Sequence, residues 1–237
     1  MPIADRVVIV TGATGTLGPV AVAAFARAGA RVGLVGTDLG RLDAVAAGAA
    51  LADGQWVAAT ADLRDPAATT LAVDEVRTAL GPVEIVLHLV GGWIGGTRIL
   101  DLDPADVHSM LDQHLWTTLN VARATAPGMV ERGWGRFIAI SAPAAAEGAV
   151  GQAAYAIAKA AEESLLRTLG RELAGDGVTA NVLVARKISE PPEQGPEPGA
   201  KKATWTTPEE IAAAILYLCS DEARVVNGAR IELTGRS

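Results

Sequence analysis

The chain has 237 residues, half of them hydrophobic, a formal net charge of −7 and one cysteine, Cys219. That length and apolar fraction suit a single large α/β domain, and the acidic balance argues against a nucleic-acid or anionic-membrane surface, each of which needs clustered Lys and Arg. One cysteine allows no intrachain disulfide, no apolar run nears the roughly 18 residues of a membrane span, and no leader pattern opens the chain, so a cytoplasmic protein without a metal site is expected.

Short β-branched runs alternate with Ala-rich stretches along the whole chain, the pattern of βαβ units and a parallel sheet. Strands are predicted at 6–11, 31–36, 55–62, 83–91, 136–141, 178–185 and 229–234. Most are apolar throughout rather than alternating, as expected when helices cover both faces. The first strand runs into a glycine-rich turn from Thr11 to Gly18, with Gly12, Gly15 and Gly18, and an amphipathic helix follows. Strand, glycines and helix in that order aim helix N-terminal amides at a pyrophosphate, so the turn reads as a dinucleotide site.

Further along, Tyr155 and Lys159 lie four residues apart in an Ala-rich helical run. That spacing brings both to one helix face, where an ammonium favours the ionised phenol and the pair can donate a proton near neutral pH. Asp106, Glu162 and Glu163 read as solvated helix faces. The segment 186–206 carries Pro191, Pro192, Pro196 and Pro198 and reads as a substrate loop or lid. Thr207, Pro208 and Glu210 then open a helix with an N-cap, a proline at the first position and a glutamate at the third.

With the glycine turn, Asp62 at the end of strand three, Gly91 after strand four, and the Tyr155 and Lys159 pair at matching intervals, the chain resembles the short-chain dehydrogenase/reductase family from Arg6 to Gly235. The resemblance implies one Rossmann-type domain with seven parallel strands in the order 3-2-1-4-5-6-7. It implies that Gly12, Thr14, Gly15, Thr16, Leu17, Gly18, Thr37, Asp62, Leu63 and Gly91 hold the cofactor, Asp62 on the adenine. Tyr155 would be the acid or base, and Lys159 would bind the nicotinamide ribose and lower the tyrosine pKa. Dimers or tetramers would form through the helix of Tyr155 and the segment 106–129.

Departures from the family pattern set this chain apart. The family serine lies thirteen residues before the tyrosine, and Ala142 stands there. Ser141, one residue earlier, replaces that donor only if the strand has ended or bulges, since neighbouring strand side chains point to opposite faces. His114 stands for the family's helix asparagine, either holding a water or titrating, or else as a helix histidine satisfied by backbone. His88 opens the segment where many members read Asn-Asn-Ala-Gly, and Ser189 is the best match to the threonine that often binds the carboxamide. Gly36 and Thr37 follow strand two without an acidic residue, and Arg41 is within a turn, which favours NADP(H) slightly over NAD(H). Asp38 suits the ribose hydroxyls of NAD(H) equally.

Trp93, Trp205 and the loop 188–205 are expected at the mouth of the cleft, either as substrate contacts for an apolar or aromatic carbonyl compound or as lid packing. Trp116 and Trp134 are assigned to structure. The resulting expectation is an NAD(P)-dependent carbonyl reductase or alcohol dehydrogenase acting on a small molecule. Its alternative is a dinucleotide-binding but redox-silent protein, an isomerase, cyclase or lyase or a regulatory subunit, because Ala142 replaces the serine.

Overall fold

Both faces of the sheet are covered, which is why the apolar runs form strands. The computed structural model describes residues 3–188 and 206–233. Its strands are β1 Val7–Thr11, β2 Arg31–Gly36, β3 Trp56–Thr60, β4 Val83–His88, β5 Gly135–Ser141, β6 Val178–Ala185 and β7 Arg230–Leu233. They pair in parallel as one sheet in the order β3-β2-β1-β4-β5-β6-β7. The helices among the described residues are α1 Gly18–Arg27, α2 Leu39–Gly48, α3 Pro66–Leu80, α4 Pro104–Leu111, α5 Thr117–Arg132, α6 Ala144–Glu147, α7 Ala153–Glu172 and α8 Pro208–Leu218.

Alternating side chains feed two cores. Val8 and Val10 of β1 join Phe25 of α1, Leu42 of α2 and Ile215 of α8 on one face. Val7 and Ile9 join Val76 of α3, Val121 of α5 and Leu166 of α7 on the other. A fully buried Leu, Ile, Phe or Val contributes about 1.5–3 kcal/mol, so these two layers supply most of the driving force. At the amino ends of the strands, Trp134 lies 3.5 Å from the Arg6 guanidinium and 4.2 Å from that of Arg136, and its indole N–H donates to Asp221 at 2.9 Å. This indole is structural, as expected.

The predicted strands are close to those observed, with two informative differences. β3 stops at Thr60, so Asp62 lies in the loop beyond it. β4 stops at His88 rather than Gly91, because the chain turns away from the sheet and Gly91 adopts φ +152°, a backbone region that disfavours any side chain. The helix at Pro208 opens as predicted: the Thr207 hydroxyl accepts from the Glu210 amide at 3.2 Å and the Glu210 carboxylate accepts from the Thr207 amide at 2.8 Å.

Sequential strands run outward from β1 through β2 to β3, then restart on its other side with β4. That reversal opens a crevice at the carboxyl ends of β1 and β4, where ligands of such sheets bind.

Candidate active site

A cleft of about 590 Å³ occupies this crevice. Its floor is the glycine turn, with Gly12, Gly15, Thr16, Leu17 and Gly18 on its wall. Gly12 has φ +67°, and a Cβ there would stand 2.7 Å from the Leu89 carbonyl group. The turn is therefore pressed against the chain leaving β4. Gly15 has only its own turn within 4 Å, so the space that a side chain would fill is open cleft. A backbone cradle leading into the first turn of α1 fits a dinucleotide pyrophosphate.

The opposite wall carries the chemistry. Gly91, Trp93, His114, Ser141, Ala142, Tyr155 and Lys159 all line the cleft. Trp93 is 59% exposed at the rim. Ser141 ends β5 in register with Val184, and its buried hydroxyl has no hydrogen-bond partner among the described residues. β5 runs without a bulge to its end there. Four expected cofactor residues lie outside the cleft lining. The Thr14 carbonyl accepts from the Arg41 guanidinium at 3.2 Å, and Thr37 precedes the α2 cap. Asp62 is held by Arg64 at 2.6–3.1 Å, which keeps its carboxyl below the usual range. Leu63 is buried and its carbonyl accepts from Asn120 at 2.9 Å. Trp205 and Ser189 fall outside the described residues.

The expectation that Glu162 is solvated is corrected. It is 1% exposed, because Tyr155, Lys159, Glu162 and Leu166 follow the i, i+4, i+7, i+11 stripe of α7 that faces the sheet. Glu163 is also buried, paired with Arg230 at 3.1 Å. The Lys159 ammonium donates to the Ile140 carbonyl at 2.7 Å and to the Glu162 carboxylate at 2.7 Å. Glu162 also accepts from the Thr118 hydroxyl at 3.1 Å.

His114 sits in a π-helical turn, Asp112–Trp116, that joins α4 to α5. Such turns re-aim side chains and recur at functional sites. Here the turn brings the imidazole ring 5.6 Å from that of Tyr155, edge to face. Its Nε2–H donates to the Gly92 carbonyl at 3.0 Å, an assignment that follows because a carbonyl can only accept. The other ring nitrogen, Nδ1, is buried without a hydrogen-bond partner and lies 4.0 Å from the Glu162 carboxylate. Burial, assisted by the Lys159 charge, lowers the His114 pKa to about 3, so the ring stays neutral at ordinary pH rather than titrating.

His88 is likewise held at about 3, chiefly by burial, and bridges the Thr11 and Thr117 hydroxyls at 2.8 and 3.2 Å. That bridge ties the end of β1 to α5. Burial pushes the Tyr155 phenol up; Lys159 pulls it down, and the Glu162 charge pushes it up further. Burial also raises the Glu162 carboxyl, with Lys159 and Thr118 opposing.

A family model described as enoyl-(acyl carrier protein) reductase matches residues 12–235. The chain belongs to the short-chain dehydrogenase/reductase family. It is 30% identical to nodulation protein G of Azospirillum brasilense over 98% of this chain and 97% of that protein. It is 31% identical to 1-deoxy-11-beta-hydroxypentalenate dehydrogenase of Streptomyces exfoliatus, over 91% of this chain and 80% of that one. The crystal structure of a short chain dehydrogenase from Bacillus anthracis superposes with a TM-score of 0.87 at 26% identity, covering 98% of this chain and 96% of that one. This chain is accordingly an oxidoreductase of a family that uses a nicotinamide dinucleotide and small-molecule substrates and commonly oligomerises. No helix among the described residues is long and apolar enough to cross a membrane.

Sequence reasoning missed Glu162 and the bridging role of His88. The signal for Glu162 was available: it lies three residues after Lys159 on the stripe that ends in the apolar Leu166.

Proposed function

We propose that this chain is an NAD(P)-dependent carbonyl reductase or alcohol dehydrogenase, with Tyr155 as proton donor to the substrate oxygen and Lys159 as its tuner. The observation that carries the reading is the convergence of the glycine cradle and the Tyr155 and Lys159 pair on one cleft. The bound cofactor supplies the hydride. The chain's own residues do the rest: the backbone of Gly12 to Gly18 holds the pyrophosphate, and Lys159 holds positive charge behind the phenol. Tyr155 delivers its proton as charge develops on the carbonyl oxygen.

NADP(H) is the favoured cofactor. Asp38 spends its carboxylate as the α2 N-cap, accepting from the Arg41 amide at 3.0 Å, while the Arg41 guanidinium reaches the glycine turn. A cation at that point suits a 2′-phosphate better than bare hydroxyls. Trp93 at the rim supports an apolar or aromatic carbonyl substrate. The one seven-stranded sheet supports a single-domain reading, and a cytoplasmic setting agrees with the lone buried Cys219; the lid expected at 186–206 lies largely outside the described residues. Exposed Trp116 and Ile157, on the segment joining α4 to α5 and on α7, support a homodimer or homotetramer built through those helices.

One observation favours a second reading. Ala142 lines the cleft where the family's serine would donate, and it offers no side-chain donor. In that case the protein binds a dinucleotide without redox turnover, and Tyr155 and Lys159 serve a non-redox proton transfer or cofactor binding alone. Fluorescence titration with NADPH and NADH, then consumption assays against ketones, quinones and enones, tests the two. Tight NADPH binding with turnover supports the reductase; tight binding without turnover of any compound supports the redox-silent protein.

A further inference from the structure

A carboxylate sits directly behind the proton donor. Glu162 is fully enclosed, and its Oε2 takes the Lys159 ammonium at 2.7 Å. The same ammonium is anchored to the Ile140 carbonyl, so it is fixed from two sides. The charge that Lys159 presents to Tyr155 is thereby offset by an opposite charge one helical turn away. Around this pair, the π-helical turn contributes the neutral His114 and α5 contributes the Thr118 hydroxyl. On α7 itself Glu163 is committed to Arg230 of β7, and from β4 His88 is neutral and bonded to two threonines. Lys159 is the cation whose charge acts on both Glu162 and Tyr155, while Arg186 and Lys187, after β6, line the cleft that Tyr155 faces.

Resting on the reductase reading above, we propose that Glu162 is a positioning residue of the reaction. It holds the Lys159 ammonium and offsets its charge, so that Tyr155 stays a proton-donating phenol and the site runs as a reductase. A lone lysine beside a tyrosine favours the phenolate, the form that accepts a proton when an alcohol is oxidised. The buried carboxylate offsets part of that bias, and the enclosure of the phenol opposes the rest. Reduction, which needs the neutral phenol, then proceeds across the neutral range, and oxidation is confined to alkaline solution. The neutral His114 ring, edge-on to Tyr155, adds no competing charge.

The test reads the phenol itself. The chain has two tyrosines, Tyr155 and Tyr217, so 3-fluorotyrosine labelling gives two fluorine resonances, assigned with Tyr217→Phe, whose site is exposed and distant in sequence. The Tyr155 resonance is expected to titrate above free 3-fluorotyrosine. Glu162→Gln is expected to lower its midpoint by about one unit, a tenfold change in ionisation, and Glu162→Asp to restore it in part.

A wild-type midpoint at or below that of the free amino acid would overturn the proposal, and so would a folded Glu162→Gln protein whose midpoint is unmoved or raised. If Glu162→Gln does not fold, Glu162→Asp decides: its shorter arm draws the carboxylate back from Lys159, so a lowered Tyr155 midpoint supports the proposal and an unmoved or raised one overturns it. The readout needs no turnover. A raised midpoint that falls in Glu162→Gln, in a protein that reduces no carbonyl compound, would sink the reductase reading while leaving the role of Glu162 toward Tyr155 standing.

Discussion

Lys159→Met removes one half of a buried ion pair and leaves the other half in place. The ammonium makes two contacts of 2.7 Å, to the Ile140 carbonyl and to Glu162. Methionine refills most of the aliphatic stem, so the loss is electrostatic. Removing one partner of a buried pair costs about 3–5 kcal/mol, because the remaining charge is uncompensated. Against a native stability of about 5–15 kcal/mol that is a large fraction, and for a chain of this size it corresponds to a drop of roughly 6–20 °C in Tm.

The cost depends on pH with a definite sign. Burial already holds the folded-state pKa of Glu162 above its ordinary value, and loss of Lys159 raises it further. A group raised in this way adds stability below its unfolded pKa and loses it as pH climbs through the folded one. The neutral Nδ1 of His114 lies 4.0 Å from the Glu162 carboxylate, beyond hydrogen-bond length, and brings no charge that would hold it ionised. His88 and His114, held near 3 in the fold, lower stability as pH falls through about 6.5, where they charge in the unfolded chain, but they do so in both proteins and drop out of the deficit. Urea unfolding at pH 5 and pH 8, at one fixed protein concentration because oligomers dissociate, is expected to show the deficit of Lys159→Met shrinking in acid. A deficit equal at both pH values, or one below about 1 kcal/mol at pH 8, would refute the buried charge pair.

Gly12→Ala forces a Cβ to within 2.7 Å of the Leu89 carbonyl group at φ +67°; it is expected to cost about 1–3 kcal/mol and to abolish dinucleotide binding in calorimetry. Ala142→Ser adds a donor to the cleft wall and is expected to raise kcat by up to about 10²-fold; lower activity in a folded variant would mean that the site is built around alanine. Arg41→Ala removes the cation reaching the glycine turn and is expected to weaken NADPH binding about 10- to 100-fold, leaving NADH unchanged, as read by parallel fluorescence titrations.

Much of the fold was legible because it rests on local chemistry. The all-apolar strands announced a sheet buried on both faces, and Thr207, Pro208 and Glu210 carried their capping box in the sequence alone. The glycine turn and the Tyr155 and Lys159 pair were legible because spacing along a strand or helix fixes what faces the cleft. What escaped depends on contacts across the chain. Glu162 was read by residue type, as a charge that belongs in water, although its helical phase carried it inward toward a lysine and a threonine. The neutrality of His114 follows from burial and from a lysine 45 residues later in the chain. Asp62 meets Arg64 because β3 ends at Thr60 and the loop folds back on itself, an ending that no β-propensity marks.

Steady-state kinetics of Tyr155→Phe, with NADPH and the best carbonyl substrate found, tests the central claim most directly. The account expects cofactor affinity to be unchanged and kcat to fall by about 10²- to 10⁴-fold, the usual worth of a positioned proton donor. Full turnover in that variant would contradict it.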